Sequence, residues 1–124
     1  MSDATFIFAD IAGFTALTEA HGDEEAVALV ETFIENATRE LPAIDGEHVK
    51  TIGDALMLRI PEPENAIRLG LDITEQTFGS HGALPVRVGL HHGPAVERNG
   101  DYLGAAVNLA ARVSGVTPKA CQRT

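Results

Sequence analysis

Apolar residues run without interruption through Phe6-Ile7-Phe8-Ala9 after Thr5 and stop at Asp10. A strand with one wet face alternates apolar and polar positions, so this continuous run predicts a central strand covered on both faces. A short helical stretch follows Gly13 as far as Ala20, and His21-Gly22-Asp23 breaks it. From Asp23, the apolar positions Ala26, Val30, Phe33, Ala37 and Leu41 recur at three or four residues, the spacing of one helix face. Glu24 and Glu25 suit the first turn of that helix, and Pro42 stops it.

Two strands are expected next, Ile44 to Lys50 and Ala55 to Ile60, joined by the hairpin-length connection Thr51-Ile52-Gly53-Asp54 and therefore antiparallel. Pro63 and Glu64 open a second long helix, on which Ile67, Leu71, Thr74 and Phe78 share a face, and Gly79 to Gly82 ends it. Val86, Val88 and Leu90 then alternate with Arg87, Gly89 and His91, a fourth strand that stops at Gly93-Pro94. Asn99-Gly100 is a tight-turn dipeptide, and a last helix spans about Ala105 to Ser114 with Gly115 as its C-cap. This order predicts an α+β fold, the ferredoxin-like βαββαβ or palm-like core, with helices on one face of an antiparallel sheet plus a C-terminal helix. In that topology the first strand runs beside and opposite to the third, so Asp10, which ends one, meets Asp54, which begins the other.

Composition narrows the class of protein. The chain has 124 residues, 44% of them apolar, enough for one domain with its own core, and it shows no repeat or linker. A single Cys121 cannot close an intrachain disulfide, and no stretch approaches the roughly 20 apolar residues of a membrane-spanning helix. Met1-Ser2-Asp3 lacks the basic and apolar segments of a signal peptide, so a cytoplasmic location is the expectation. Residues 1 to 62 carry 13 acids and 3 bases, whereas 63 to 124 carry 5 acids and 6 bases, so the halves stand at −10 and +1. A net charge of −9 argues against a nucleic-acid partner, although an acidic protein still binds a polyphosphate where metal ions neutralise it locally.

The chemistry concentrates in three places. Asp10 and Asp54 converging at strand ends make a hard-oxygen pair suited to Mg2+ or Mn2+; equally, Asp10 could serve as a helix cap and Asp54 as a turn residue. Ala12-Gly13-Phe14-Thr15 puts a Gly-containing turn at a helix N-terminus, where free N–H groups and the helix dipole favour phosphate. Asn108 and Arg112 sit four apart on one helix face, either as a solvated surface or as a sugar-orienting amide and a phosphoryl-stabilising guanidinium. His91 and His92 are adjacent in a strand and so point to opposite faces, which assigns them to structure rather than to a metal.

Phe8-Ala9-Asp10-Ile11-Ala12-Gly13-Phe14-Thr15, Lys50-Thr51-Ile52-Gly53-Asp54-Ala55-Leu56-Met57, Arg87-Val88-Gly89-Leu90-His91-His92-Gly93 and the Asp101 to Arg112 segment resemble the successive signatures of a class III nucleotidyl cyclase domain. The resemblance runs from Thr5 to about Gly115, treats residues 1 to 124 as a single such domain, and is nearest to the single-domain adenylyl cyclases of actinobacteria. It implies that Asp10 and Asp54, with the Ile11 carbonyl, hold two ions, Mg2+ or Mn2+, and that ATP is cyclised to 3′,5′-cyclic AMP and pyrophosphate. It further implies that Asn108 positions the ribose, that Arg112 stabilises the transition state, and that head-to-tail homodimers share each site between chains. Lys50 and Asp101 would read the base: adenine offers an N1 acceptor and an N6 donor, which a cation and a carboxylate complement. Without the resemblance, Lys50 is an ordinary strand-end lysine and Asp101 an Asx-turn residue.

Val116 to Thr124 does not resemble the strand and hairpin with which the family domain continues, so those C-terminal strands are expected to be missing. Lys119 is accordingly not assigned the family's basic phosphate contact. Two readings follow, an adenylyl cyclase and a truncated nucleotide-binding or dimerisation module with weak or no turnover. A diguanylate cyclase is disfavoured, because Thr51-Ile52-Gly53-Asp54 stands where that family carries a Gly-Gly-Asp/Glu-Glu-Phe turn.

Overall fold

In the computed structural model, which describes residues 3–52, 55–75, 86–104, 107–108 and 110, the uninterrupted apolar run becomes strand β1 (Asp3–Ile11). It lies inside a four-stranded antiparallel sheet of order β2-β3-β1-β4, where β2 is Glu47–Ile52, β3 is Ala55–Ile60 and β4 is Val86–Pro94. From Ala4 to Ala9 every side chain of β1 is buried, as a strand with two covered faces requires. The odd-numbered face, Ile7, Ala9 and Ile11, joins Leu56, Leu58 and Ile60 beneath helices α2 (Asp23–Thr38) and α3 (Pro63–Thr74). Phe33 of α2 is fully buried there, a burial worth about 1.5–3 kcal/mol. The even-numbered face, Phe6 and Phe8 with Met57, is covered by Ala95, Tyr102, Val107 and Ala110. Both faces of the sheet are therefore packed, and the helices α1 (Phe14–His21), α2 and α3 are confined to one side of the chemistry.

The α+β, βαββαβ order and the antiparallel β1–β3 pairing match the expectation from the sequence. Several details differ. Ile44 belongs to a 3-10 turn, Leu41–Ile44, rather than to a strand, because Pro42 suits a helical first turn and the Gly46 N–H closes onto the Leu41 carbonyl at 2.8 Å. Thr51 and Ile52 continue β2 instead of forming the connection. On α3, Ile67 and Leu71 are half exposed, and the packed face is Ala66, Leu69, Gly70 and Ile73. The small residues win because the helix approaches the sheet closely: a Cβ on Gly70 would sit 3.3 Å from the Leu90 side chain. The helix ends at Thr74, and Phe78 lies outside the described residues.

Asn99-Gly100 makes the tight turn, both residues with positive φ (53° and 81°), and it joins two three-residue strands that the sequence pattern does not reveal. These are β5 (Val96–Arg98) and β6 (Asp101–Leu103), paired as a separate hairpin on the even-numbered face. Paired positive φ is the I′ turn geometry that matches strand twist. Of the C-terminal helix, Val107, Asn108 and Ala110 are described and helical, with the Asn108 N–H bonded to the Gly104 carbonyl at 3.0 Å. Ala105, Ala106 and residues 111–124, including Gly115, lie outside the described residues. No helix among the described residues is long and apolar enough to cross a membrane.

Candidate active site

Asp10 occupies the last turn of alternation in β1, on the same face as Phe6 and Phe8, and its cross-strand partners are Ala55 on β3 and Arg87 on β4. Directly opposed residues of an antiparallel pair bring their side chains together, and opposite charges are favoured there. Arg87 grips the carboxylate with two bonds: Nε donates to Oδ1 at 3.2 Å and Nη2 to Oδ2 at 3.0 Å. The Asp10 side chain is 17% exposed, so this is a largely enclosed pair rather than a surface one. Arg87 is a site residue that the sequence reasoning did not select. Its signal was present, since alternation from Val86 to His91 puts Arg87 on the face away from Val86, Val88 and Leu90, but the register that aims it at Asp10 is a tertiary fact.

Ile11 follows at the buried end of β1, and Ala12-Gly13 turns the chain into α1. Gly13 is the N-cap with φ 75°, a left-handed conformation that glycine adopts without strain, and no side chain caps the helix. Leu17 is the first residue of α1 bonded back to Gly13, at 3.0 Å, so the N–H groups of Phe14, Thr15 and Ala16 precede the helical ladder. Gly13 and Thr15 are exposed. Ala12, Gly13, Phe14 and Thr15 thus form an open helix start beside Asp10, as the sequence predicted.

On the far side of β3, β2 carries a bulge. His48 pairs with Leu58 and Lys50 with Met57, which leaves Val49 as the extra residue. In a regular strand, residues 47 and 50 would face opposite ways; the bulge puts Glu47 (opposite Arg59) and Lys50 (opposite Met57) on one face, the one covered by the β5–β6 hairpin. Lys50 Nζ donates to Asp101 Oδ2 at 2.8 Å, and the Tyr102 N–H donates to Asp101 Oδ1 at 2.7 Å. The Lys50 bond first, and then the backbone N–H, hold the Asp101 carboxyl below its ordinary value. The fold thus brings together Lys50 and Asp101, 51 positions apart in the chain.

Asn108 is exposed on its helical segment, while Val107 and Ala110 turn into the core, which is the division of faces the sequence predicted. Asp54 and Arg112 lie outside the described residues. Among the described residues no three His, Cys, Asp or Glu side chains converge to cage a metal. His92 Nδ1 meets Thr5 Oγ1 at 2.9 Å, and its neighbour His91 opposes Phe6, so the two imidazoles diverge. The Asp10 and Lys50 clusters occupy the same sheet face; two strand spacings and a two-residue offset separate their Cα atoms by roughly 12 Å.

The model of the adenylate and guanylate cyclase catalytic domain family matches residues 1–120. A pH-sensitive adenylate cyclase of Mycobacterium tuberculosis is 38% identical over 112 residues, covering 90% of this chain and 28% of that protein. An adenylate cyclase of Streptomyces coelicolor is 35% identical over 112 residues, 90% of this chain and 29% of that protein. Among solved structures, a bacterial light-regulated adenylyl cyclase superposes with a TM-score of 0.78 at 29% identity, over 95% of this chain and 71% of that one. The chain thus spans less than a third of the length of the sequence relatives it matches.

Proposed function

Because the chain belongs to the adenylate and guanylate cyclase catalytic domain family, we propose that it converts ATP to 3′,5′-cyclic AMP and pyrophosphate, at sites shared between two copies of itself. The observation that carries the choice of ATP is the Lys50–Asp101 pair. Lys50 keeps N–H donors beyond the one it gives Asp101, and Asp101 keeps lone pairs beyond those it uses, so together they offer a donor for adenine N1 beside an acceptor for adenine N6–H. Asp101 is an acceptor throughout the neutral range, since its carboxyl is held below the ordinary value.

Asp10 and the Ile11 carbonyl supply oxygen donors only, and the two bonds from Arg87 leave about half of the carboxylate's lone-pair positions available, a donor set that fits Mg2+ or Mn2+. With Asp54 as the second acid, these residues would hold two ions, which when bound supply charge neutralisation for the triphosphate and acidify the ribose 3′-hydroxyl. The rest falls to the chain. Arg87 fixes the rotamer of Asp10. The open N–H groups of the Ala12-Gly13-Phe14-Thr15 turn bind phosphate oxygens. Asn108, exposed, orients the ribose, and Arg112 stabilises charge on the α-phosphoryl group as the 3′-oxygen attacks phosphorus and the bond to the β-phosphate oxygen breaks. Two copies in head-to-tail arrangement would pair the Asp10 set of one with the Lys50, Asp101, Asn108 and Arg112 set of the other.

The direct test is to incubate the purified chain with ATP and Mn2+ and quantify cyclic AMP over a series of protein concentrations. Product whose specific activity rises with concentration supports a dimeric adenylyl cyclase. ATP binding without product at any concentration overturns the catalytic assignment in favour of a nucleotide-binding or dimerisation module.

A further inference from the structure

A lysine beside an aspartate does not by itself choose between purines. Guanine presents an O6 acceptor next to an N1–H donor, so a mobile donor–acceptor pair could serve either base by reversing its order along the edge. Selectivity requires that the order be held, and β6 is a three-residue strand paired with β5 in a hairpin that, among the described residues, shares no ladder with the main sheet. Something else must anchor Asp101.

The anchor is visible one residue along. Tyr102 is buried, its ring tilted 52° against Phe6 with centroids 5.5 Å apart and with the Arg59 guanidinium 5.3 Å from the ring centroid. Its hydroxyl donates to Glu47 Oε1 at 2.9 Å. Glu47 can reach it only because the bulge at Val49 turns Glu47 and Lys50 to the same face. Adjacent residues of β6 therefore bind the two residues that the bulge brings into line: Asp101 to Lys50 and Tyr102 to Glu47. We infer that Tyr102 and Glu47 are positioning residues that clamp the β5–β6 hairpin to β2 and thereby fix the order of donor and acceptor with which Lys50 and Asp101 meet the base. The inference rests on the base-reading role proposed above for Lys50 and Asp101. Burial and the Glu47 carboxylate both push the Tyr102 phenol up, so the hydroxyl keeps the proton it donates.

The test compares ATP with GTP on the full chain, by calorimetric affinity in the presence of Mn2+ and, where product forms, by KM and kcat. Tyr102→Phe keeps the ring and removes the bond. It is expected to lower the ATP-over-GTP preference by about tenfold, mainly through affinity and KM, since a hydrogen bond to a charged acceptor is lost. Glu47→Ala should do the same, the double variant should add nothing further, and Glu47→Gln, which still offers a carbonyl acceptor, should restore the preference. A Tyr102→Phe chain that melts earlier but discriminates as before would make the bond merely structural and overturn the inference; Glu47→Ala decides the matter if the tyrosine variant fails to fold. Lys50→Glu separates the two levels. Altered discrimination there with none in Tyr102→Phe and Glu47→Ala sinks the clamp alone, whereas unaltered discrimination in Lys50→Glu removes the reader and the clamp with it.

Discussion

The ion pairs of Asp10 with Arg87 and of Lys50 with Asp101 join distant parts of this chain, and they are built on different footings. Asp10 and Arg87 are direct cross-strand partners inside one sheet, so the backbone ladder aims them at each other, and the guanidinium grips with two bonds. Lys50 and Asp101 belong to separate sheets and make a single side-chain bond, with both side chains more than a third exposed. A pair set by strand register survives changes elsewhere; a pair set by the docking of a hairpin depends on whatever docks it. That difference matches the proposed division of labour, with the phosphate end of the substrate held by a rigid corner and the base end read by an adjustable one.

The comparison breaks most visibly at the rigid corner. Asp10→Ala is expected to reduce cyclic AMP formation at least a hundredfold and to leave Arg87 partly enclosed without its acceptor, costing about 1–3 kcal/mol of stability by thermal melt. Mixing this chain with an equally inactive Arg112→Ala chain should return about a quarter of the normal activity, because half the dimers are mixed and each holds one intact site. No recovery in demonstrated mixed dimers would count against sites shared between copies. A smaller effect is expected from Arg87→Lys, which keeps the charge but cannot bridge both carboxylate oxygens: activity should fall about tenfold with little change in dimerisation measured by sedimentation.

The smallest expected effect concerns the adjustable end. Asp101 titrates below its ordinary value in the folded chain, so its contribution to stability is present above that ordinary value, near pH 4, and is lost as pH falls through the lower folded value. Melting curves of the chain and of Asp101→Asn should therefore differ at neutral pH and converge on the acid side. Added salt should also shrink the neutral-pH difference, as it does for half-exposed pairs. A difference that persists unchanged to pH 2 would mean that Asp101 is held by something other than its charge.

Much of this is legible in the sequence. The uninterrupted Phe6-Ile7-Phe8-Ala9 run identified the central strand, and of the spacing Ala26, Val30, Phe33, Ala37 and Leu41, the residues Ala26, Phe33 and Ala37 lie on the packed face of α2, which Leu29 completes; Val30 is only partly buried, and Leu41 falls in the 3-10 turn because the helix ends at Thr38. Asp10 near the end of β1, the Gly13 turn before α1 and the outward Asn108 have the local setting read from the sequence, whereas Lys50 lies inside β2 rather than at its end, Asp101 opens a strand the pattern did not reveal, and Asp54 and Arg112 fall outside the described residues. The choice of face on α3 failed for a reason that periodicity cannot carry: Ile67 and Leu71 are more apolar than Ala66 and Gly70, but a close helix–sheet approach selects small residues over hydrophobic ones.

Local chemistry written along the chain thus determined the four strands of the main sheet and the helices to within a few residues, together with the turn at Asn99-Gly100, since each depends on neighbours within a few positions. What only the tertiary structure decided are the meetings: Arg87 with Asp10, and Tyr102 with Glu47 beside Lys50 with Asp101. The first depends on the register of two strands more than 70 residues apart in the chain, and the second on one extra residue at Val49 that turns Glu47 and Lys50 to the same face. Register and bulge are properties of paired strands, and neither strand alone encodes them.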